Sequence, residues 1–210
     1  MKRTIRMLGL AGLILFGAVL PLQAQSMSIT KGPFRDGNLG LSLGDMAGFK
    51  FEKGTFYFDL EKGYLVQYRP PHGGRLCVSV YPVGKESVAE GGDSPRLLEE
   101  VRDIREALQQ RVSEGALSEV RTVNDKVITI GSDAAAVRFR SATSSIRAGG
   151  ENLIFQHYLT VYRDRIVSIR LAQTEPSTAD SEIAFQRFLL EFSQKLTALK
   201  TVRNVHHTRK

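Results

Sequence analysis

Apolar and polar residues alternate along much of this chain, a two-residue period that is typical of β-strands with one buried face. In the first half the alternation predicts a hairpin, with strands at 55–59 and 64–68 around a turn at Gly63, and a third strand from 76 to 82. In the second half it predicts strands at 119–123, 126–130, 135–141, 152–162 and 165–172. The last two of these would form a long hairpin.

Two segments follow the helical period instead. The first begins at Ser94 and Pro95, an N-cap residue followed by a proline suited to the first helical position, and Gly115 lies where this helix would end. The second is predicted to begin near Asp180 and to run to about Leu199, with a bulky apolar stripe on one face. The order of strands, helix, strands and helix predicts an α+β fold, an antiparallel sheet packed with two main helices.

The N-terminus has the pattern of a cleaved export signal, with three basic residues followed by an uncharged apolar run at 7–20. As a helix this run would span roughly 21 Å, less than the ~30 Å hydrocarbon core of a bilayer; an uncleaved N-terminal anchor is the alternative. Small residues allow cleavage before Gln25 or, with a slightly better fit, before Met27. We expect residues 1–24 to be a signal peptide and the protein to be periplasmic or secreted.

The rest of the chain divides by composition. Residues 25–48, rich in Gly, Ser and Asp, are expected to form a flexible lead-in, with a short strand near 39–43. Residues 49–199 are expected to form a single α+β domain, since no linker or internal repeat interrupts them. Residues 200–210 are expected to be a basic, frayed tail.

Charge narrows the class of partner. Three of the 29 Lys and Arg residues and none of the 22 acids lie in the predicted signal, so the mature chain would carry a net charge of +4 instead of +7. Export also argues against nucleic acid. An envelope or extracellular protein is the expected partner, and an anionic surface reached by the basic tail is a second candidate.

The sequence predicts no catalytic set, cofactor or metal site, because the usual phosphate-loop, nucleophile-elbow, HExxH and CxxC motifs are absent. Cys77 is the only cysteine, which excludes an intramolecular disulfide and a lipoprotein anchor; its alternating strand predicts a buried, inert thiol. His72 lies in a Pro/Gly loop and is expected to be a turn residue. His157 is expected to be a half-buried core histidine, and the pair at 206–207 lies in the tail.

One group of residues is a candidate binding surface. If the apolar positions of the three strands within 135–172 share one face, the opposite face carries three arginines and two tyrosines. Arginine binds carboxylates and phosphates through bidentate hydrogen bonds, and tyrosine adds contact area and a hydroxyl group. The alternatives are an ordinary solvated sheet face and a face covered by a helix over the arginine stems. The predicted binding residues are Arg138, Arg140, Tyr158, Tyr162 and Arg170.

The chain resembles the PsbP-like fold family from about residue 49 to 199. The resemblance rests on the first aromatic hairpin, the helix after a Gly-rich loop, and three later blocks. These blocks are V-I-T-I-G-S-D-A-A-A-V-R-F-R, L-T-V-Y-R-D-R-I-V-S-I-R-L and F-Q-R-F-L-L-E-F-S-Q-K-L. The resemblance implies an α-β-α sandwich and a non-enzymatic role in binding or assembly, often of another protein, and it carries over no catalytic residue.

The sequence therefore predicts an exported binding or accessory module that engages a protein partner or an envelope component. The alternative is an envelope hydrolase whose site is assembled from residues that cannot be paired by their spacing. A third hypothesis is a membrane-surface protein that uses the tail at 200–210.

Overall fold

The computed structural model of the protein describes residues 26–37, 39–59, 62–84 and 88–207. The predicted signal peptide at 1–24 and the last three residues of the predicted tail lie outside these ranges. In chain order the elements are β1 (Ser26–Ile29), β2 (Phe34–Arg35), β3 (Ser42–Leu43), β4 (Lys50–Tyr57), β5 (Tyr64–Arg69), β6 (Arg75–Pro82), α1 (Pro95–Ser113), β7 (Glu119–Ile130), a 3-10 turn (Asp133–Ala135), β8 (Val137–Ala148), β9 (Glu151–Tyr162), β10 (Arg165–Thr174) and α2 (Ala179–His207).

The fold is α+β, as predicted: a large antiparallel sheet with two long helices. Eight strands form the sheet in the order β1-β4-β5-β6-β10-β9-β8-β7, and every neighbouring pair is antiparallel. Strands β4 to β6 are joined by short connections, as are β7 to β10. The pairing of β6 with β10 joins these two halves of the chain.

The two helices pack against opposite faces of the sheet. We call the face in contact with α2 the α2 face; it includes Val78 and Ile169, which pack in one cluster with Phe188 of α2. The other, the α1 face, includes Leu159, which packs in a second cluster with Val101 of α1. Because a helix covers each face, both faces are apolar over the centre of the sheet. Among the described residues, no helix is both long enough and apolar enough to cross a bilayer.

The segment before β4 belongs to the fold, whereas the sequence favoured a flexible lead-in at 25–48. β1 pairs with β4 along the sheet edge, and β2 pairs with β3 above the α2 face. Phe34 stacks on Phe56 with ring centroids 4.3 Å apart, and it lies over Gly54, where a Cβ would come within 2.1 Å of its ring. Five apolar residues of this segment are buried: Phe34, Leu39, Leu41, Leu43 and Met46.

The loop before α1 fills a gap in the sheet, which gives the glycine pair at 91–92 a structural role. β8 pairs with β9 only beyond its first three residues, and Gly91 exchanges two backbone hydrogen bonds with Val161 of β9 at 2.9 and 3.3 Å. Gly92 lies against the backbone of β8, where an added Cβ would come within 2.5 Å of the Phe139 carbonyl carbon and 2.6 Å of the Arg140 nitrogen. Only glycine fits at position 92 without moving this backbone.

Several elements are longer than their periodicity predicts. β7 is one strand of 12 residues with a bulge between Thr122 and Asn124, where the sequence predicted two strands. β8 continues through a polar stretch to Ala148 instead of ending at residue 141. The backbone of α2 remains helical to His207, beyond the predicted end at Leu199 and into the predicted tail.

Candidate functional site

The predicted arginine and tyrosine surface does not form, because the structure divides its members between the two faces of the sheet. Arg138, Arg140 and Arg170 lie on the α1 face, whereas Tyr158 and Tyr162 lie on the α2 face, within its buried cluster. The alternation within each strand was predicted correctly. The assumed match between strands was wrong for β9, whose Leu159 stands opposite Arg140 and not opposite an apolar residue of β8.

The two tyrosines are core residues. Tyr158 packs edge-on against Phe185 of α2, with ring centroids 5.3 Å apart, and burial raises the pKa of its hydroxyl. Tyr162 is also buried, and the Arg163 guanidinium lies 5.3 Å from its ring centroid. Neither ring is presented on an open face of the sheet, so neither fits the predicted role as a contact surface for a partner.

The three arginines share a face and are engaged with neighbouring groups there. Arg140 forms an ion pair with Asp125 at 2.7 Å, and Asp125 also accepts a hydrogen bond from Arg105 of α1 at 2.6 Å. Arg138 pairs with Asp93 in the loop before α1. Arg170 donates a hydrogen bond to Ser79 of β6 at 3.0 Å. Arg140 and Arg170 are partly buried and match the alternative of a helix-covered face, whereas Arg138 and Asp93 are exposed.

His157 lies deep beneath α1 and forms a close pair with Ser168. Its Nε2 atom is 2.7 Å from the Ser168 hydroxyl, and both residues are only 3 % exposed. A serine nucleophile must reach its substrate, and this pair is enclosed. The structure therefore brings together a histidine and a serine without giving support to the hydrolase alternative.

The burial of His157 predicts an acid-sensitive fold. Burial, and secondly the charge of Arg170, hold the pKa of His157 well below its usual value of 6.5. Between the lowered pKa of the folded state and 6.5, the unfolded chain binds up to one more proton than the folded chain. We therefore expect the free energy of unfolding to fall as the pH falls through this window, by at most about 1.4 kcal/mol per pH unit. Above pH 6.5 this histidine contributes no pH dependence. Urea unfolding between about pH 5 and pH 8 measures the slope.

His157→Gln should flatten that slope, since glutamine can still bond to Ser168 and does not titrate. His72→Gln is the matched control, because His72 lies in an exposed turn; this variant should keep the slope of the unmodified protein. An unchanged slope in His157→Gln would show that other groups govern the acid response.

Cys77 is fully buried, as its strand pattern predicted. Burial raises the pKa of its thiol to about 11, so the thiolate is scarce at neutral pH. Within the described residues, no group of three or more His, Cys, Asp or Glu side chains is arranged to hold a metal ion.

A polar cleft opens where the ends of β7, β8 and β9 meet the segment after β10. Its volume is about 300 Å³. We call it the charged cleft, and its lining residues are Glu119, Arg121, Ser145, Arg147, Asn152 and Glu175.

The side chains of the charged cleft include both signs of charge. Arg121 pairs with Glu119 at 2.6 Å, and the Ser145 hydroxyl donates to Glu175 at 3.2 Å. The pKa of the Glu119 carboxyl is lowered, first by the hydrogen bond from Arg121 and its charge, and more weakly by the charge of Arg147. The lining has donors and acceptors for a polar ligand. It offers no His, Lys or Cys side chain for acid–base or nucleophilic chemistry near neutral pH.

Sequence reasoning missed the charged cleft because four separate elements build it. Ser145 and Arg147 lie in the polar half of β8, which was not predicted as a strand, and Asn152 and Glu175 lie at strand ends. One signal was present: Glu119 and Arg121 are two residues apart in a predicted strand and hence share a face.

No protein-family model matches this chain, and a search among curated proteins finds no match either.

Proposed function

We propose that this chain is an exported, non-enzymatic binding or accessory module that engages a protein partner or an envelope component. The charged cleft is the observation that carries this proposal. It groups two arginines, two glutamates, a serine and an asparagine in one concave site, and such convergent polar groups fix the orientation of a bound molecule. The enclosed His157–Ser168 pair, by contrast, cannot reach a substrate.

The cellular location and the family belong to the same proposal. The N-terminal charge and apolar pattern support export to the periplasm or beyond the cell, with a signal peptide at 1–24. The positions of the two helices on opposite faces of an antiparallel sheet are compatible with a PsbP-like α-β-α sandwich. The resemblance to that family implies a non-enzymatic role in binding or assembly, often of another protein.

Partner capture tests the proposal. The purified protein is used as bait on the cell-envelope fraction, with chemical crosslinking, and is compared with Arg121→Glu/Arg147→Glu. The control, Arg102→Glu/Arg187→Glu, makes the same change of charge at exposed helix positions away from the charged cleft. We expect the unmodified protein and the control to enrich the same partner and the cleft variant to lose it.

Two results would count against this site or this function. Equal enrichment by all three proteins would separate the partner from the charged cleft. Hydrolysis of an ester, peptide or glycoside substrate by the unmodified protein, lost in His157→Gln while the fold remains, would favour the hydrolase alternative.

A further inference from the structure

The charged cleft is electrically balanced, and this restricts its ligand. Its lining contains two arginines and two glutamates, so the formal charges of the lining sum to zero. A simple anion would be attracted by the arginines and repelled by the glutamates. A simple cation would be attracted by the glutamates and repelled by the arginines. A ligand that carries both charges, or none, avoids this conflict.

Some groups of the charged cleft have hydrogen-bonding capacity to spare. Within the described part of the chain, the side chains of Arg147 and Asn152 form no hydrogen bond or ion pair. Glu175 accepts only the Ser145 hydroxyl, through Oε2. A guanidinium and an amide with free hydrogen-bond donors therefore lie in the same cleft as a carboxylate with free acceptor capacity. Guanidinium groups bind carboxylates, and carboxylates bind ammonium groups, through charge-assisted hydrogen bonds.

Size and composition narrow the class further. A volume of about 300 Å³ lies at the lower end of the range for small-molecule sites. The lining contains no aromatic ring on which the apolar face of a sugar could pack. Four of the six lining side chains are charged, which favours a charged ligand over a neutral polyol.

We propose that the charged cleft binds a small zwitterion with an amino and a carboxylate group, such as a free amino acid or a short peptide. Arg147 and Asn152 bind the carboxylate, and Glu175 binds the ammonium group. The inference rests on the proposed binding function and names the chemistry that the binding site recognises. An envelope component that displays unblocked amino-acid ends has this chemistry.

The test is a titration followed by ¹⁵N–¹H NMR, with L-alanyl-L-alanine as the probe. Three further compounds separate the contributions: the N-acetylated dipeptide, which lacks the ammonium group, the dipeptide amide, which lacks the carboxylate, and maltose, a neutral polyol. We expect saturable shifts at Ser145, Arg147 and Asn152 with the free dipeptide. Blocking either end should weaken binding about tenfold, since each removes a charge-assisted contact.

Two variants assign the ends of the ligand. Arg147→Gln should lower the affinity for the free dipeptide about tenfold. The affinity for the dipeptide amide should stay unchanged, because that compound has no carboxylate for Arg147 to bind. Glu175→Gln should lower the affinity for the free dipeptide and leave the affinity for the N-acetylated form unchanged. Arg102→Gln, at an exposed position of α1, is the control. The dispersion of the NMR spectrum shows that each variant is folded.

The inference is overturned if the dipeptide gives no saturable shifts, if the blocked forms bind as tightly as the free one, or if maltose binds and the dipeptide does not. These failures are separable from failure of the proposed function. Loss of dipeptide binding with intact, cleft-dependent capture of an envelope partner would remove only this inference.

Discussion

Phe34→Ala is expected to lower the free energy of unfolding by about 3–5 kcal/mol. The ring is fully buried and lies within 4.3 Å of the Phe56 centroid and 4.8 Å of the Tyr64 centroid. It also covers Gly54, so that its removal would leave a cavity between β2 and the sheet. Chemical denaturation followed by circular dichroism measures the loss; the chain has no tryptophan to serve as a fluorescent probe.

Phe58→Ala is the matched control, because this ring is 62 % exposed. It should change the stability by less than about 0.5 kcal/mol. Since a loss of 5 kcal/mol can exceed the total stability of a small domain, Phe34→Leu provides a milder variant with an intermediate loss. Equal stability of the Phe34 and Phe58 variants would mean that the segment before β4 is not part of the core.

Gly92→Ala adds a single methyl group to the loop before α1 and is expected to lower the free energy of unfolding by about 3 kcal/mol. The added Cβ would come within 2.5 Å of the Phe139 carbonyl carbon, and the neighbour is backbone, which cannot rotate away. The strands β8 and β9 would have to separate further. A thermal or urea unfolding curve measures the effect.

Gly37→Ala is the control for that substitution. Nothing lies within 4 Å of a Cβ at position 37, and this glycine does not require a positive φ. It should be neutral or slightly stabilising, because alanine restricts the unfolded chain. A Gly92→Ala protein as stable as Gly37→Ala would contradict the close fit between this loop and the edge of β8.

Local chemistry was enough to predict the parts of the fold that depend on neighbouring residues. The long hairpin of β9 and β10 was predicted from its alternation, and its turn has positive φ at Arg163 and Asp164, as a two-residue type I′ turn requires. α1 begins at Pro95, as the Ser-Pro pair indicated, and Gly115 with φ of 75° follows its end. These signals act within a few residues and do not depend on the rest of the sheet.

The faces of the sheet could not be assigned in the same way. A strand shows which of its residues share a side, but only the register of its neighbours shows which side that is. Because all four are apolar, Phe155 and Leu159 were predicted to share a face with Val167 and Ile169. In the structure Phe155 and Leu159 pack with α1 and not with α2. Because each face is covered by a helix, apolar residues alone do not distinguish them.

The N-terminal segment and the charged cleft were missed for a different reason. Phe34 stands apart from the alternating leucines at 39, 41 and 43, so no local period marks it, and its partners lie in the sheet. The charged cleft likewise takes Arg121, Asn152 and Glu175 from distant parts of the sequence. Long-range contacts of this kind depend on the whole topology.

The single seam between β6 and β10 has a consequence for folding kinetics. The other pairings among β4 to β6 and among β7 to β10 join strands that follow one another along the chain. Ser79 of β6, in contrast, pairs with Ser168 of β10 across α1 and the three strands β7 to β9. Closing so large a loop costs entropy before any contact is gained. We therefore expect the two halves to form first and the seam to close in the rate-limiting step. Destabilising substitutions in the hairpins of either half, whose contacts form before that step, should then mainly slow folding.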